Sequence, residues 1–431
     1  MTTEDLKHIV IKLDEIYQSG NYSFLKKECA KFLQSYPDNY EILNCLAVAE
    51  KNLGFLDEAI LIHEENIRLS PDNHLAYANL ANIYRDEGHL QKSLLFYKHS
   101  IERNPTIDSY NNLGNAFEAL GKYAEAAKCF LYCVEKDPSY QSAQFNLANR
   151  YRSSENYEKA IKHYDLAPNI SKSNIYALEC LYYLEKFEHF EGRFQDIVSD
   201  GVSDALTGCL SSHYSYYRGI DDISSFCPNP LDFIFHCNLI EEGVLDTKMI
   251  DDIKNSDNRL NLDFKNQNLL KNGQQSAGNV FLLNDSILSN FKNVILEKII
   301  QYKEKFKNSD NSLIADWPID HGLSGWFIEM ESNGSLETHI HKTGWLSGSI
   351  YLDIPKKINS NDGNIFFTLD GANYPKPNNL KKDFPKKIFD LKLGDMVMFP
   401  SSLFHGTIPF QSKHKRKCFA FDFFDNKKKL T

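Results

Sequence analysis

The 431 residues carry 42% hydrophobic and 25% charged side chains, the balance of an ordinary soluble globular chain long enough for two or three domains. A net charge of −10 offers no basic footprint for nucleic acid, and no segment approaches the roughly 18 uninterrupted apolar residues of a membrane-spanning helix, so neither is expected as a partner. The nine cysteines are scattered without a CxxC pair, and the opening Met1–Asp5 lacks the basic and apolar regions of a signal peptide, so reduced thiols and a cytoplasmic location are expected.

The first part of the chain repeats itself. Pro37, Pro71, Pro105 and Pro138 recur at intervals of 33 or 34 residues, each closing a similar phrase such as Arg68-Leu69-Ser70-Pro71. Within each period one helix carries a small/large pattern, as in Asn79-Leu80-Ala81-Asn82-Ile83-Tyr84 and Asn112-Leu113-Gly114-Asn115-Ala116-Phe117. The next helix carries a small residue and an aromatic four later, as at Ser93 and Tyr97, Ala126 and Phe130, Ala160 and Tyr164. Small residues let two helices approach, aromatics fill the remaining space, and proline stops the second helix because it lacks the amide hydrogen. This pattern resembles the tetratricopeptide repeat, a helix-turn-helix unit that stacks into a solenoid. The resemblance implies about five units over residues 6–169, the first degenerate, and a concave groove for a protein or peptide partner; a spacer without cargo is the other reading. Residues 173–198 read as one more helical pair that closes the solenoid.

Cys227-Pro228-Asn229-Pro230 interrupts the helical run. Leu239–Ile253 and Asn284–Phe306 still read as helices, the second with Leu288, Phe291, Ile295 and Ile299 on one apolar side. From Ser324 onward short aromatic and β-branched runs follow one another, separated by turn residues such as Asn333-Gly334, Asn361-Asp362-Gly363 and Gly394-Asp395. Such spacing predicts a sandwich or barrel, of which the jelly roll commonly houses a metal. The proline- and lysine-rich residues 374–387 read as a long surface loop, a candidate lid.

His339-Ile340-His341 is the chemically distinctive phrase. Imidazoles at i and i+2 of an extended segment project from one face. His405, from a distant strand, can close one side of a metal and leave the other open, as in non-haem Fe(II) sites with two histidines and a carboxylate. Here His341 stands where the carboxylate would be.

His339 to His341, Gly344-Trp345-Leu346-Ser347-Gly348, Tyr351, Gly394-Asp395, Phe399-Pro400-Ser401, His405 to Phe410 and Arg416 to Asp422 together resemble the 2-oxoglutarate/Fe(II)-dependent oxygenase domain found behind tetratricopeptide repeats in bacterial proteins. The similarity covers about residues 227–425. It implies Fe(II) and 2-oxoglutarate as cofactors, O2 as cosubstrate and hydroxylation of a C–H bond as the usual outcome. It assigns His339 and His405 as metal ligands, with His341 at the position of the third. Glu337, two residues before His339, is the fallback carboxylate. The resemblance further implies that Arg416 binds the far carboxylate of 2-oxoglutarate, for which its planar fork is suited. Tyr351, Ser347 and Thr407 are the other cosubstrate-binding candidates. Lys342 and Asn364 depart from the family's habit, and both bear on loop shape.

The expected architecture is therefore an α+β multidomain chain: a repeat solenoid over 1–170, a helical cap and linker over 171–226, and over 227–431 a double-stranded β-helix, or jelly roll, with flanking helices. The expected function is a 2-oxoglutarate/Fe(II)-dependent oxygenase whose repeats recruit a protein or peptide. Two alternatives remain open at this level: a three-histidine metal dioxygenase that does not use 2-oxoglutarate, and a non-catalytic repeat adaptor.

Overall fold

The computed structural model describes residues 3–376 and 383–429. Residues 377–382, the middle of the candidate lid, lie outside that range. The chain divides into two compact units, Met1–Ser173 and Asn174–Thr431.

The first unit holds ten helices among the described residues, from Thr3–Gln18 to Tyr157–Asp165, arranged as five pairs. Helices Leu56–Leu69, Leu90–Arg103 and Tyr123–Lys136 each end two residues before a proline, and the residue between leaves the helical region, with Asn104 and Asp137 extended. Steric conflict with the proline ring forces that conformation, so the proline sets the helix end. The turn inside each pair needs a positive φ. Gly121 supplies it in the fourth pair (φ 71°), whereas Glu155 adopts it at 58° in the fifth. Tyr97 donates to Asn82 Oδ1 and Tyr164 to Asn149 Oδ1, so the repeated asparagines anchor the repeated aromatics.

The second unit begins with the helical segment expected to be a cap and linker. Helices Ser171–Tyr183, Phe187–Ser199 and Ala205–Arg218 lead into it, and Gly219 in the left-handed region closes the last. Ten strands follow: β1 (Phe235–Asn238), β2 (Phe264–Lys265), β3 (Leu270–Ser276), β4 (His321–His339), β5 (Leu346–Asp353), β6 (Ile365–Thr368), β7 (Lys386–Phe389), β8 (Asp395–Pro400), β9 (Phe404–Thr407) and β10 (Arg416–Asp425). All pairs are antiparallel, in the order β1-β8-β5-β10-β4-β9-β6-β7, with β3 also on β4 and β2 on β3. This is a jelly-roll-like half-barrel. The long β4 pairs with β10, β3 and β9 along its length.

Alternation along the strands separates two cores. On β10, Phe419, Phe421 and Phe423 join the cluster that packs on helix Ser286–Lys305 through Leu288, Phe291, Ile295 and Ile299. Arg416, Cys418, Ala420 and Asp422 line the inner cavity. On β4, Phe327 faces the helix, while Trp326, Ile328 and Met330 face inward.

Two local expectations change. Leu239–Ile253 is not one helix: Asn238 Oδ1 accepts from the amides of Ile240 and Glu241 to make a turn, Gly243 has φ 70°, and the helix covers only Thr247–Lys254. Asn333-Gly334 does not separate two strands. It kinks the continuous β4, where Asn333 takes φ 61° and its amide donates to Phe410 O at 2.6 Å.

In the repeat unit, a Cβ on Gly114 would sit 2.5 Å from a ring carbon of Phe130. Overpacking of this kind costs about 1–3 kcal/mol, against up to about 1 kcal/mol gained in helix propensity. Gly114→Ala is therefore expected to lower the urea midpoint of the full chain's helical signal; an unchanged or raised midpoint would contradict this packing.

Candidate metal centre

Pairing of β4 with β9 places His339 directly opposite His405, and β6 flanks β9 with Phe367 opposite His405. A one-residue register shift falls between Leu336 and His339. This bulge breaks the alternation on which the same-face reading of Glu337 depended. Leu336 and His339 both face the cavity, while the exposed Glu337 carboxylate pairs with Lys271 at 2.5 Å. The fallback carboxylate is thus outside the cluster. His341 lies just beyond the end of β4, held by its amide to Ser401 O (3.1 Å).

Candidate ligand atoms of His339, His341 and His405 lie within 4.8 Å of one another, and among the described residues they form the one group of this kind. The hydrogen-bond network assigns their tautomers. Nδ1 of His339 donates to Glu337 O (2.8 Å), Nδ1 of His341 to Asp422 Oδ1 (2.5 Å), and Nδ1 of His405 to Leu403 O (3.2 Å). Each Nε2 therefore carries a lone pair, and two of them, on His339 and His341, face each other at 3.2 Å. Converging lone pairs of this sort are satisfied by a cation. Burial pushes the His339 imidazole down to about 4, reinforced by His341, and burial holds His405 well below its ordinary value. Both are neutral at physiological pH, the form that binds a metal.

Asp422 is the residue that sequence reading left without a role. Besides His341 it accepts from Ser347 Oγ at 2.7 Å, and Ser347 Oγ lies 2.7 Å from Ser401 Oγ. Ser347 is fully buried behind His341 and is not part of the cavity wall, which corrects its expected place beside a cosubstrate. A signal for Asp422 was present: a carboxylate at an inward position of the apolar run Phe421-Asp422-Phe423 needs a polar partner.

The three imidazoles open onto a cavity of about 300 Å³ whose wall includes Arg416, Tyr351 and Thr407, the residues that the resemblance implied for cosubstrate binding. Arg416 is 2% exposed. Its Nε donates to Gly363 O at 2.9 Å, and one terminal nitrogen touches only sulfur, Cys418 Sγ at 3.5 Å and Met330 Sδ at 3.8 Å. No carboxylate among the described residues pairs with it. Its guanidinium carbon lies 5.0 Å from the Tyr351 ring centroid, and the buried Tyr351 hydroxyl has no hydrogen-bond partner among the described residues. A buried cation and a buried orphan hydroxyl thus share one wall, where a carboxylate would satisfy both.

The two departures from the family pattern have structural roles. Asn364 accepts from Lys357 Nζ and from the Leu391 amide. Lys342 Nζ contacts both oxygens of Glu179, at 2.7 and 3.0 Å, and Tyr374 Oη donates to the same carboxylate. This network ties the turn carrying His341 to helix Ser171–Tyr183.

Residues 324–422 match the family model described as "Putative 2OG-Fe(II) oxygenase", and residues 74–107 and 107–140 match tetratricopeptide repeat models. The chain thus carries tetratricopeptide repeats and, at its C-terminal side, a domain of that oxygenase description. Human tetratricopeptide repeat protein 7B is 26% identical over 116 residues, which span 27% of this chain and 14% of that protein. Among solved structures, pilF of Pseudomonas aeruginosa is similar at 15% identity, covering 44% of this chain and 89% of its own, with a TM-score of 0.41. A tetratricopeptide repeat protein from Parabacteroides merdae is similar at 16% identity, 53% and 90% coverage and a TM-score of 0.39. YrrB, titled a TPR protein with an unusual peptide-binding site, is similar at 14% identity, 42% and 95% coverage and a TM-score of 0.35.

The Lys342–Glu179 pair predicts an asymmetry. Glu179 is 1% exposed, so Lys342→Met removes the ammonium from a buried carboxylate and is expected to cost about 1–3 kcal/mol. Glu179→Gln keeps a polar partner for Tyr374 and lets Lys342 turn to water, and should cost less. Thermal melting of the two variants checks the order; equal melting temperatures would show the pair to be slack.

Proposed function

We propose that the C-terminal unit is a 2-oxoglutarate- and Fe(II)-dependent oxygenase, a hydroxylase, and that the repeats recruit its protein or peptide partner. The observation that carries this reading is the unpaired, buried guanidinium of Arg416 in the same cavity as three convergent imidazole lone pairs.

The residues fit the group. His339, His341 and His405 hold the metal through Nε2. Asp422 keeps the His341 ring oriented and returns one negative charge beside a ligand set that has none of its own. Arg416 would bind the far carboxylate of 2-oxoglutarate through its terminal nitrogens, and the Tyr351 hydroxyl on the same wall would be a further donor to it. Thr407 is a further polar contact on that wall. Iron and 2-oxoglutarate, when bound, supply the oxidising chemistry that hydroxylates a C–H bond with O2 and releases succinate and CO2. Trp326, Ile328, Met330 and Phe399 keep the wall apolar and limit water around the reacting groups.

The neutral three-imidazole set favours a second reading, a metal dioxygenase that needs no 2-oxoglutarate. That reading leaves Arg416 without a purpose.

Anaerobic protein given Fe(II) and 2-oxoglutarate is expected to show a visible charge-transfer band and to form succinate on exposure to O2. His405→Ala should abolish the band. Arg416→Ala should weaken 2-oxoglutarate binding roughly 30-fold or more, the scale for truncating one side of a buried charged pair. Wild-type protein that binds iron and ignores 2-oxoglutarate would support the second reading, and protein that binds no metal would leave a repeat-based adaptor.

Asp422→Asn isolates the supporting carboxylate. Fe(II) affinity is expected to fall about 10–100-fold, as when a carboxylate behind a metal-bound histidine is lost. Titration under anaerobic conditions reads this directly, and an unaltered affinity would remove Asp422 from the site.

A further inference from the structure

The repeat unit contains a groove of about 780 Å³, bounded by helices Thr3–Gln18, Tyr40–Asn52 and His74–Asp86 and by the turn before the last of these. Its lining includes four carboxylates, Asp14, Glu15, Glu41 and Asp72, and no lysine or arginine. None of the four forms an ion pair with a described residue. Other carboxylates of this unit do: Glu28 pairs with Lys12, Glu50 with Lys26, Asp86 with Lys51 and Glu118 with Arg150. The negative field in the groove is felt at Cys45, where burial first, then Asp14 and Glu41, push the thiol up to about 11.

The same groove presents apolar surface. Ile11, Tyr40 and Leu75 line it and are 58%, 44% and 50% exposed. Nearer the other end of the unit the polar side chains satisfy each other, Asn146 donating to both Asn111 and Asn115. The acidic groups are spread over two helices and a turn and do not converge on one point, since the metal-competent group among the described residues is the histidine cluster alone. Spaced anions beside exposed apolar side chains match an extended ligand with several cations better than one small ion.

We propose that this groove binds a peptide segment of a partner protein in which lysine or arginine residues flank a large apolar side chain. The carboxylates would take the cations, and Ile11, Tyr40 and Leu75 the apolar anchor. This rests on the reading of the repeats as the partner-recruiting part, and it specifies the chemistry of what they recruit.

Fluorescence anisotropy on the full chain tests it, with a labelled twelve-residue peptide alternating leucine with lysine and arginine. A matched peptide with glutamate at each basic position is the control. Saturable binding is expected for the basic peptide only, weakening roughly tenfold between low and physiological salt. Asp14→Asn/Glu15→Gln should weaken it several-fold, as should Leu75→Ala. Glu125→Gln/Glu135→Gln, which removes two exposed charges outside the groove, should leave it unchanged. Equal loss in both double variants would mean that net charge alone attracts the peptide, and no loss in the groove variants would place the peptide elsewhere; either result overturns the proposal. Circular dichroism confirms that each variant folds, and substitution at exposed Asp14 and Glu15 leaves the helix core intact. Iron and 2-oxoglutarate titrations on the same samples keep the two readings separable, because peptide binding and cofactor binding can each fail alone.

Discussion

Antiparallel pairing of β4 with β9 sets His339 across from His405, and the chemistry proposed for the C-terminal unit depends on that register. A slip by one residue would turn one imidazole out of the cavity. The register is fixed from several sides: β10 and β3 grip the preceding part of β4, and the bulge before His339 re-aims the strand end so that Leu336 and His339 both point inward. The position of the third imidazole comes from outside the strand, through the Ser401 carbonyl and the Asp422 carboxylate.

Charge explains why Asp422 matters. Three neutral imidazoles bring no negative charge to a divalent ion, unlike the two-histidine, one-carboxylate pattern. In this protein the carboxylate stands one hydrogen bond further out, on β10, and would act on the proposed ion through the His341 ring. The same strand delivers Arg416 six residues earlier, on the same face, so β10 carries both the anion proposed to support the metal and the cation proposed to bind the cosubstrate carboxylate. Sulfur and a backbone carbonyl around Arg416 leave its charge uncommitted.

Much of this was legible in the sequence because the signals were periodic or local. The 33–34-residue recurrence of proline, the small residues facing aromatics and the asparagine-rich first helices report the solenoid directly, and the apolar side of Ser286–Lys305 reports its helix. The histidine pattern and Arg416 were readable as a set. What sequence concealed was set by tertiary contacts. Leu239–Ile253 has enough apolar residues for a helix, yet Asn238 caps a turn there. Asn333-Gly334 looks like a strand break, yet neighbours on both sides keep β4 continuous. Glu337 was placed with His339 by two-residue alternation, which a bulge cancels. Ser347 was read as facing a cosubstrate, but its hydroxyl is consumed by Asp422. Lys342, which looked like a departure, is the partner of a carboxylate on a helix far away in sequence.

The long β4 strand has a mechanical consequence. It is paired with β10 over its first half, with β3 over its middle and with β9 at Leu336 and His339, so its successive stretches are each tied to a different neighbour. His341, past the strand's end, is held instead by its amide to the Ser401 carbonyl and by its ring to Asp422. The histidine cluster therefore draws two of its members from one strand pairing and the third from a turn anchored separately, so a substitution at Ser401 or Asp422 acts on His341 and leaves the His339–His405 pairing in place.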